Sequence, residues 1–230
     1  MTKYKEQSKV LKQMLGLEWS PIAVTWSDKP DERGSLDKQP SVCQALEKIK
    51  EKNLIVNLTK ENCMCPGGKH YLGLEVLPLH VIAMVWTRFH KTYASQEIAE
   101  EQLKKYPEPP TGQGKYVIIS PLEKARSDPD VVLVFCNPEQ ADRVAGLIAF
   151  SGTEPMTFFP AGNVCSAIAN PLVTGKTDIS FLSRHARELR KLKTSHNELF
   201  LSIPYRDFEA AIKAIPNSGY GVAKGEFPKI

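Results

Sequence analysis

The sequence predicts an α+β protein with a mixed β-sheet and helices, folded as one compact domain of 230 residues. Three observations support this class. Short runs rich in β-branched residues alternate with longer amphipathic runs of helical period. A Pro/Gly-rich stretch at 107–114 divides the chain into two parts. The order of the predicted elements before and after this stretch is similar, which indicates two related halves.

The first part begins with an amphipathic helix from Tyr4 to Leu15, capped by Gly16. We predict a buried strand at 22–26, a helix at 42–52 and a second strand at 54–58, and a solvated helix at 95–105. The apolar run at 76–90 contains Pro78, and its periodicity does not separate helix from strand.

The second part contains further strand and helix patterns. Asn137-Pro138 is typical of a helix start and precedes an apolar face on the following residues. The predicted strands are 116–120, 131–135, 156–159 and 199–203, and the predicted helices are 139–150 and 205–215. Residues 219–230 are expected to form a loosely held tail.

These elements suggest an internal duplication, with halves at 1–106 and 115–230. Strand 22–26, helix 42–52 and strand 54–58 would correspond to strand 131–135, helix 139–150 and strand 156–159. Each unit then delivers cysteine after its second strand. We therefore expect Cys63 or Cys65 to lie close to Cys165. Chance similarity is the alternative explanation, since identity between the halves is low.

Composition excludes several classes of protein. The apolar, charged and aromatic fractions are those of a soluble globular protein, and the formal charge of +4 is spread along the chain. We therefore expect no nucleic-acid partner. The N-terminus lacks the apolar core of a signal peptide and no segment has the length of a membrane span, so we expect a cytoplasmic protein with no membrane partner. A homo-oligomer is left open.

Five cysteines form the most informative feature of the sequence. In a reducing compartment they indicate thiols, metal ligands or redox centres rather than a disulfide framework. Cys43 falls in the first turn of a predicted helix, where the helix dipole favours a thiolate. Cys136 ends an apolar strand and is expected to pack in the core.

Four of these cysteines are candidate ligands for a metal or a cofactor: Cys43, Cys63, Cys65 and Cys165. Thiolates suit an iron–sulfur cluster or zinc, and loop cysteines can converge on one site. Their spacing matches no standard zinc or ferredoxin pattern. Inert or redox-sensing thiols are the alternative interpretation.

The segment Pro66-Gly67-Gly68-Lys69 directly follows Cys65. Its amides and the Lys69 ammonium could bind an anion, although it is not a phosphate-loop motif. The alternative is a tight turn that brings the backbone close to the cysteines. GxSxG, HExxH and GxGxxG motifs are absent from the sequence, so the corresponding hydrolase and dinucleotide-binding hypotheses have no support.

Several short segments together resemble a known family, the domain of unknown function 169 of archaea and anaerobic bacteria. The segments are Ser41-Val42-Cys43-Gln44-Ala45, Cys63-Met64-Cys65-Pro66-Gly67-Gly68, Leu72-Gly73-Leu74, Ser120-Pro121-Leu122, Asp130-Val131-Val132, Asn137-Pro138-Glu139-Gln140-Ala141 and Cys165. The resemblance covers about residues 22–215 and implies no established reaction. Family members look like Ser-Leu-Gly-Cys near the position where this chain has Ser180-Phe181-Leu182-Ser183, so Ser183 replaces a cysteine.

The leading functional hypothesis is a cytoplasmic protein that binds an iron–sulfur cluster or a metal and acts as a redox enzyme on a small anionic molecule. Three protein thiolates would leave an open coordination position, and the candidate substrate-binding residues are Gly67, Gly68, Lys69 and Ser183. One alternative is a cofactor-free small-molecule-binding protein that uses residues 66–69. Another is a structural or assembly protein with incidental cysteines.

Overall fold

The computed structural model describes residues 2–39, 41–153, 156–158, 164–183, 186–188 and 194–222. Its strands are β1 (Ile22–Ser27), β2 (Val56–Leu58), β3 (Tyr116–Pro121), β4 (Val131–Cys136), β5 (Asp178–Ser180) and β6 (Leu199–Pro204). Its α-helices are α1 (Lys3–Leu15), α2 (Val42–Lys52), α3 (Pro66–Tyr71), α4 (Leu79–Met84), α5 (Gln96–Leu103), α6 (Pro138–Phe150), α7 (Val164–Thr174) and α8 (Tyr205–Ala214).

The α+β class is confirmed. Within the described residues the strands form one six-stranded sheet in the order β2-β3-β1-β4-β6-β5. All pairings between these strands are antiparallel, which corrects the expected mixed sheet. Among the described residues, the parallel pairings are isolated bridges that belong to no strand ladder, such as Ser35 with Val56 of β2. None of the described helices is both long enough and apolar enough to cross a bilayer.

Three local predictions are wrong. The predicted strand 156–159 is reduced to one bridge between Thr157 and Asp178, and residue 159 lies outside the described part of the chain. Cys165 lies in the first turn of α7 and not in a loop, because the apolar residues that follow it have helical spacing. The glycine segment after Cys65 is also helical, since Pro66 occupies the first position of α3, where its missing N–H costs nothing.

The ambiguous run at 76–90 is helical from Leu79 to Phe89. Pro78 precedes the first residue of α4, so its fixed φ does not interrupt the helix. Residues Val85–Phe89 continue α4 as a π-helical segment. The predicted tail is described up to residue 222, and residues 219–221 form a 3-10 turn; the rest of the tail lies outside the described residues.

Each face of the sheet packs against its own layer of helices. Alternate residues of β4 enter two different cores, as expected for a strand buried on both faces. We call the layer with α2, α3, α4, α5 and α7 the cysteine face and the layer with α1, α6 and α8 the opposite face. The cysteine face contains Val131, Leu133 and Phe135 of β4, and the opposite face contains Val132, Val134 and Cys136.

The strand order repeats about the centre of the sheet. β1 and β4 are adjacent and antiparallel at the centre. Outwards from the centre, the order is β1, β3, β2 on one side and β4, β6, β5 on the other, so each half has its first, third and second strand in that order. The register repeats as well. Ile22 opposite Pro121 matches Val131 opposite Pro204, and Val56 opposite Ile119 matches Asp178 opposite Ser202. This arrangement has an approximate two-fold axis normal to the sheet between β1 and β4.

The helices before β2 and β5 obey the same relation. Both α2 and α7 have 11 residues and begin with Val-Cys-x-Ala. Both are followed by a residue with left-handed backbone, Asn53 with φ 53° and Gly175 with φ 68°. Cys43 therefore corresponds to Cys165.

These correspondences differ from those that the sequence suggested. The partner of α2 is α7 rather than α6, and the partner of β2 is β5 rather than residues 156–159. By strand order β3 belongs with β1 and β2, so the division between the halves falls between β3 and β4 instead of at 107–114.

A glycine fixes the chain at the end of α3. Trp26 Nε1 donates a hydrogen bond of 2.9 Å to the carbonyl of Leu72, and Gly73 follows with φ 71°. A side chain at this position would overlap the carbonyl group of Pro110. The turn therefore needs glycine for both its backbone conformation and its space.

Gly73→Ala should destabilise the fold by at least about 3 kcal/mol, because left-handed strain and a backbone clash add together. Gly112→Ala is the matched control, since Gly112 has φ 72° and open space around it; about 1 kcal/mol is expected there. Denaturant unfolding of both variants measures the difference. Equal losses would show that the Pro110 contact is unimportant.

Candidate functional site

Three helix starts on the cysteine face present cysteines. Cys43 and Cys165 are the second residues of α2 and α7, and Cys65 caps the N-terminus of α3. Both α2 and α3 contact α7. The backbone N–H groups of a first helical turn carry partial positive charge, so this arrangement directs three such turns at one region.

The structure brings all four candidate cysteines together. Cys65 and Cys165 share a side-chain hydrogen bond, and Cys165 also interacts electrostatically with Cys43 and Cys63. The predicted proximity of Cys65 and Cys165 is therefore observed. None of the five cysteines forms a disulfide.

Cys63 and Cys65 have different environments. Cys63 is fully buried, and its Sγ donates to the Cys65 carbonyl at 3.8 Å. Cys65 is half-buried, and its Sγ accepts from the Gly68 N–H at 3.4 Å. A Cβ on Gly68 would lie 3.1 Å from Cys63 Sγ and 2.7 Å from Val42 Cγ2, so glycine is needed for α3 to approach the site.

Burial opposes the formation of thiolates at two of these positions. It raises the pKa of Cys63 to about 11. The pKa of Cys165 is also raised, first by its hydrogen bond to Cys65 and then by burial. These two thiols are neutral near pH 7 when nothing is bound to them. A bound metal must therefore displace their protons.

Zinc and an iron–sulfur cluster set different requirements on the separation of their thiolate ligands. Among the described residues, no group of three or more Cys, His, Asp and Glu side chains is placed to hold one metal ion. Tetrahedral zinc at about 2.3 Å from each sulfur needs thiolates roughly 3.8 Å apart. An iron–sulfur cluster is held by thiolates on different irons, which lie farther apart.

Of the predicted substrate-binding residues in α3, the two glycines lie beside the cysteines and the lysine is paired with a carboxylate. Gly67 and Gly68 lie in the first turn of α3, beside the cysteines. Lys69 Nζ is 3.2 Å from Glu75, which also pairs with Lys60 at 3.1 Å. Lys69 still acts on the site through space, since its charge lowers the pKa of Cys63 against the larger effect of burial.

Ser183 serves a local structural contact. Its Oγ accepts from the Ala186 N–H at 3.4 Å. The preceding residue, Leu182, has φ 50° and lines a small cavity that also contains Cys43. The left-handed backbone at Leu182 is a conformation that glycine adopts without strain.

The family model of domain of unknown function 169 (DUF169), described as uncharacterised ArCR, matches residues 10–214. The chain belongs to this family. Among curated proteins and among solved structures, no match was found.

A buried ion pair of the DUF169 chain was not predicted from its sequence. Lys50 Nζ lies 3.2 Å from Glu198, and only 2% of the Lys50 side chain is exposed. The ammonium is also 4.4 Å from the ring centroid of Phe135 and 5.2 Å from that of Trp19. Lys50 and Cys43 line the same cavity, which has room for a water molecule only, at about 10 Å³. A cation therefore adjoins the cysteine site.

A buried carboxyl group near α7 was also missed. Asp178 Oδ2 accepts from Asn170 Nδ2 at 2.6 Å, and Oδ1 accepts from the Ile179 N–H at 2.8 Å. Burial raises the pKa of Asp178 to about 6. The sequence offered little signal for this group, since its partner Asn170 lies inside a helix.

Alkylation should separate the cysteines of the metal-free DUF169 protein. Cys43 is half-buried at a helix start, whereas Cys136 is 4% exposed and burial raises its pKa to about 12. At pH 8 we expect Cys43 to react with iodoacetamide at least about tenfold faster than Cys136. Cys136 labelling should rise about tenfold per pH unit, because its thiolate fraction does so below the pKa.

Peptide mass spectrometry of timed samples measures both rates. A bound metal or cluster should protect Cys43 and leave Cys136 unchanged. Equal rates for the two cysteines in metal-free protein would show that Cys43 is a packing residue.

Proposed function

We propose that Cys43, Cys63, Cys65 and Cys165 form an iron–sulfur site, with zinc as the alternative, in a cytoplasmic redox enzyme that acts on a small anionic molecule. The observation that carries this proposal is the convergence of four thiols from three helix starts and the preceding turn. A reducing compartment would keep these thiols available. An oxygen-poor host, which the family resemblance implies, would protect such a cluster.

Electrostatics supports a site for an anionic group. Cluster thiolates carry negative charge, and the first turns of α2 and α7 direct partial positive charge towards Cys43 and Cys165. Lys50 lines the same cavity as Cys43, and its ammonium is paired with Glu198 at 3.2 Å. When bound, a cluster would supply one-electron transfer. The chain would bury it, exclude water and release the thiol protons of Cys63 and Cys165.

The contacts suggest different roles for Cys63 and Cys65. Cys65 hydrogen-bonds to Cys165 and accepts from the Gly68 N–H, so its sulfur already faces the shared region. The Cys63 thiol points to a backbone carbonyl. We therefore propose Cys43, Cys65 and Cys165 as the principal ligands, with Cys63 supporting Cys65 or serving as a fourth ligand.

Three thiolates would leave one coordination position for substrate. In this proposal Gly67, Gly68, Lys69 and Ser183 surround that position, as the sequence suggested. Both lysines near the cysteines are paired with carboxylates. Lys69 pairs with Glu75, and Lys50, which shares a cavity with Cys43 and Leu182, pairs with Glu198, so either ammonium would have to leave its partner to contact a substrate anion.

Serine variants of the four cysteines test the site. After anaerobic reconstitution with iron and sulfide, the Cys43→Ser, Cys65→Ser and Cys165→Ser variants should each lose most of the bound iron and the thiolate-to-iron absorption. Cys136→Ser is the control and should keep both, because Cys136 lies on the opposite face of the sheet. Cys63→Ser should retain a weakened cluster.

Ser183→Cys tests the open coordination position. The added thiol should keep the iron content and remove any shift in the cluster spectrum that exogenous ligands cause. Full iron binding by the Cys43→Ser and Cys165→Ser variants would refute the cluster site. Complete loss in both Cys63→Ser and Cys65→Ser, with no ligand-induced shift in the unmodified protein, would replace the open site by a four-thiolate electron-transfer centre.

A further inference from the structure

The two halves of the sheet differ on the opposite face. In the second half, alternate residues of β4 and β6 are buried beneath α6 and α8. In the first half, β1 is followed by a loop, and β3 is followed only by a 3-10 turn at residues 122–124. On this face the first half of the sheet therefore lacks helices equivalent to α6 and α8, which cover the second half.

The side chains change with this difference. In the repeated register, four buried apolar positions of the second half correspond to four positions of the first half. Three of these four first-half residues carry a hydroxyl group. The buried positions are Val134, Cys136, Leu201 and Ile203, and their counterparts are Thr25, Ser27, Ile118 and Ser120. Hydroxyl groups both donate and accept hydrogen bonds. The open face is therefore chemically suited to a polar ligand.

These four residues form part of a cleft of about 180 Å³. The remaining lining residues are Lys29, Pro30, Asp31, Ala125, Arg126 and Ser127. The Asp31 wall is fixed, since its N–H donates to Asn57 Oδ1 at 2.9 Å and its carbonyl accepts from Asn57 Nδ2 at 2.9 Å. Arg33 Nη2 donates to the Lys124 carbonyl at 2.9 Å. This hydrogen bond connects the Asp31 wall to the second wall, which residues 125–127 form.

The cleft has a net positive charge. Asp31, its one carboxylate, is engaged by Arg33, whose Nε donates to Oδ1 at 2.9 Å. Within the part of the chain that the structure describes, neither Lys29 nor Arg126 has a carboxylate within 4 Å. Lys29 and Arg126 therefore place two positive charges at the rim, beside the hydroxyl-bearing side chains of the cleft, and Arg126 also acts on Asp31 through space.

We infer that this cleft is a second ligand site, which binds a small phosphate-bearing molecule. Lysine, arginine and hydroxyl groups together match phosphate oxygens. Because a single water needs about 10–15 Å³ of such space, a cleft of about 180 Å³ holds several waters and has room for a compact phosphate ester. The cleft lies across the sheet from the cysteines, so this inference is independent of the proposed function.

Calorimetric titration of the full, anaerobically purified chain with inorganic phosphate and with glycerol 3-phosphate tests this site. At low ionic strength both should bind saturably, and Arg126→Gln should weaken binding at least about tenfold. Lys9→Gln removes an exposed charge on α1 outside the cleft and should change affinity less than twofold. Cys43→Ser should leave phosphate affinity unchanged.

Variants that leave the net charge unchanged separate binding in the cleft from a general electrostatic attraction of phosphate to the protein. Thr25→Val keeps the β-branched shape and Ser120→Ala removes one hydroxyl, and each should weaken phosphate binding about threefold or more. Unchanged affinity in both, or equal losses in Arg126→Gln and Lys9→Gln, would overturn the site. Sedimentation that shows a dimer dissociated by Arg126→Glu would also overturn it, because a second copy would then occupy the cleft.

Discussion

The antiparallel pairing of β1 with β4 at the centre of the sheet is the constraint on which the site depends. It sets the approximate two-fold axis, and the axis brings the starts of α2 and α7 together on one face. Cys43 and Cys165 are near each other for this reason, although 122 positions separate them in the chain. Helix α3 then approaches through Gly68 and adds Cys65.

The site combines two opposing physical effects. Burial raises the pKa of Cys63, and the hydrogen bond to Cys65 followed by burial raises the pKa of Cys165, while the three helix starts favour negative charge. In the proposed function, the partial positive charge of the helix starts would balance the charge of an anionic cofactor where water is excluded.

The sequence could predict the elements that have strong local patterns. Most helices, the long strands and the candidate cysteines were predicted because each depends on periodicity, capping or residue chemistry nearby. The correspondence between α2 and α7 was missed because only Val, Cys and Ala are shared between Val42–Leu58 and Val164–Ser180. β5 has three residues and no pattern of its own.

Long-range features could not be predicted for a different reason. The Lys50–Glu198 pair joins residues 148 positions apart, and nothing in the sequence near Lys50 distinguishes it from the other lysines of α2. The cleft on the opposite face depends on which helices are absent from one half, so it becomes visible only once strand order and register are known. Local sequence patterns contain neither kind of information.

The most direct test of the cofactor site is the iron, zinc and acid-labile sulfide content of protein purified without oxygen. Our account predicts iron and sulfide in similar amounts, at least two of each per chain, with little zinc. The protein should be brown and should bleach when the iron is chelated. Colourless protein with neither iron nor zinc, which stays metal-free after reconstitution with iron and sulfide, would contradict the account.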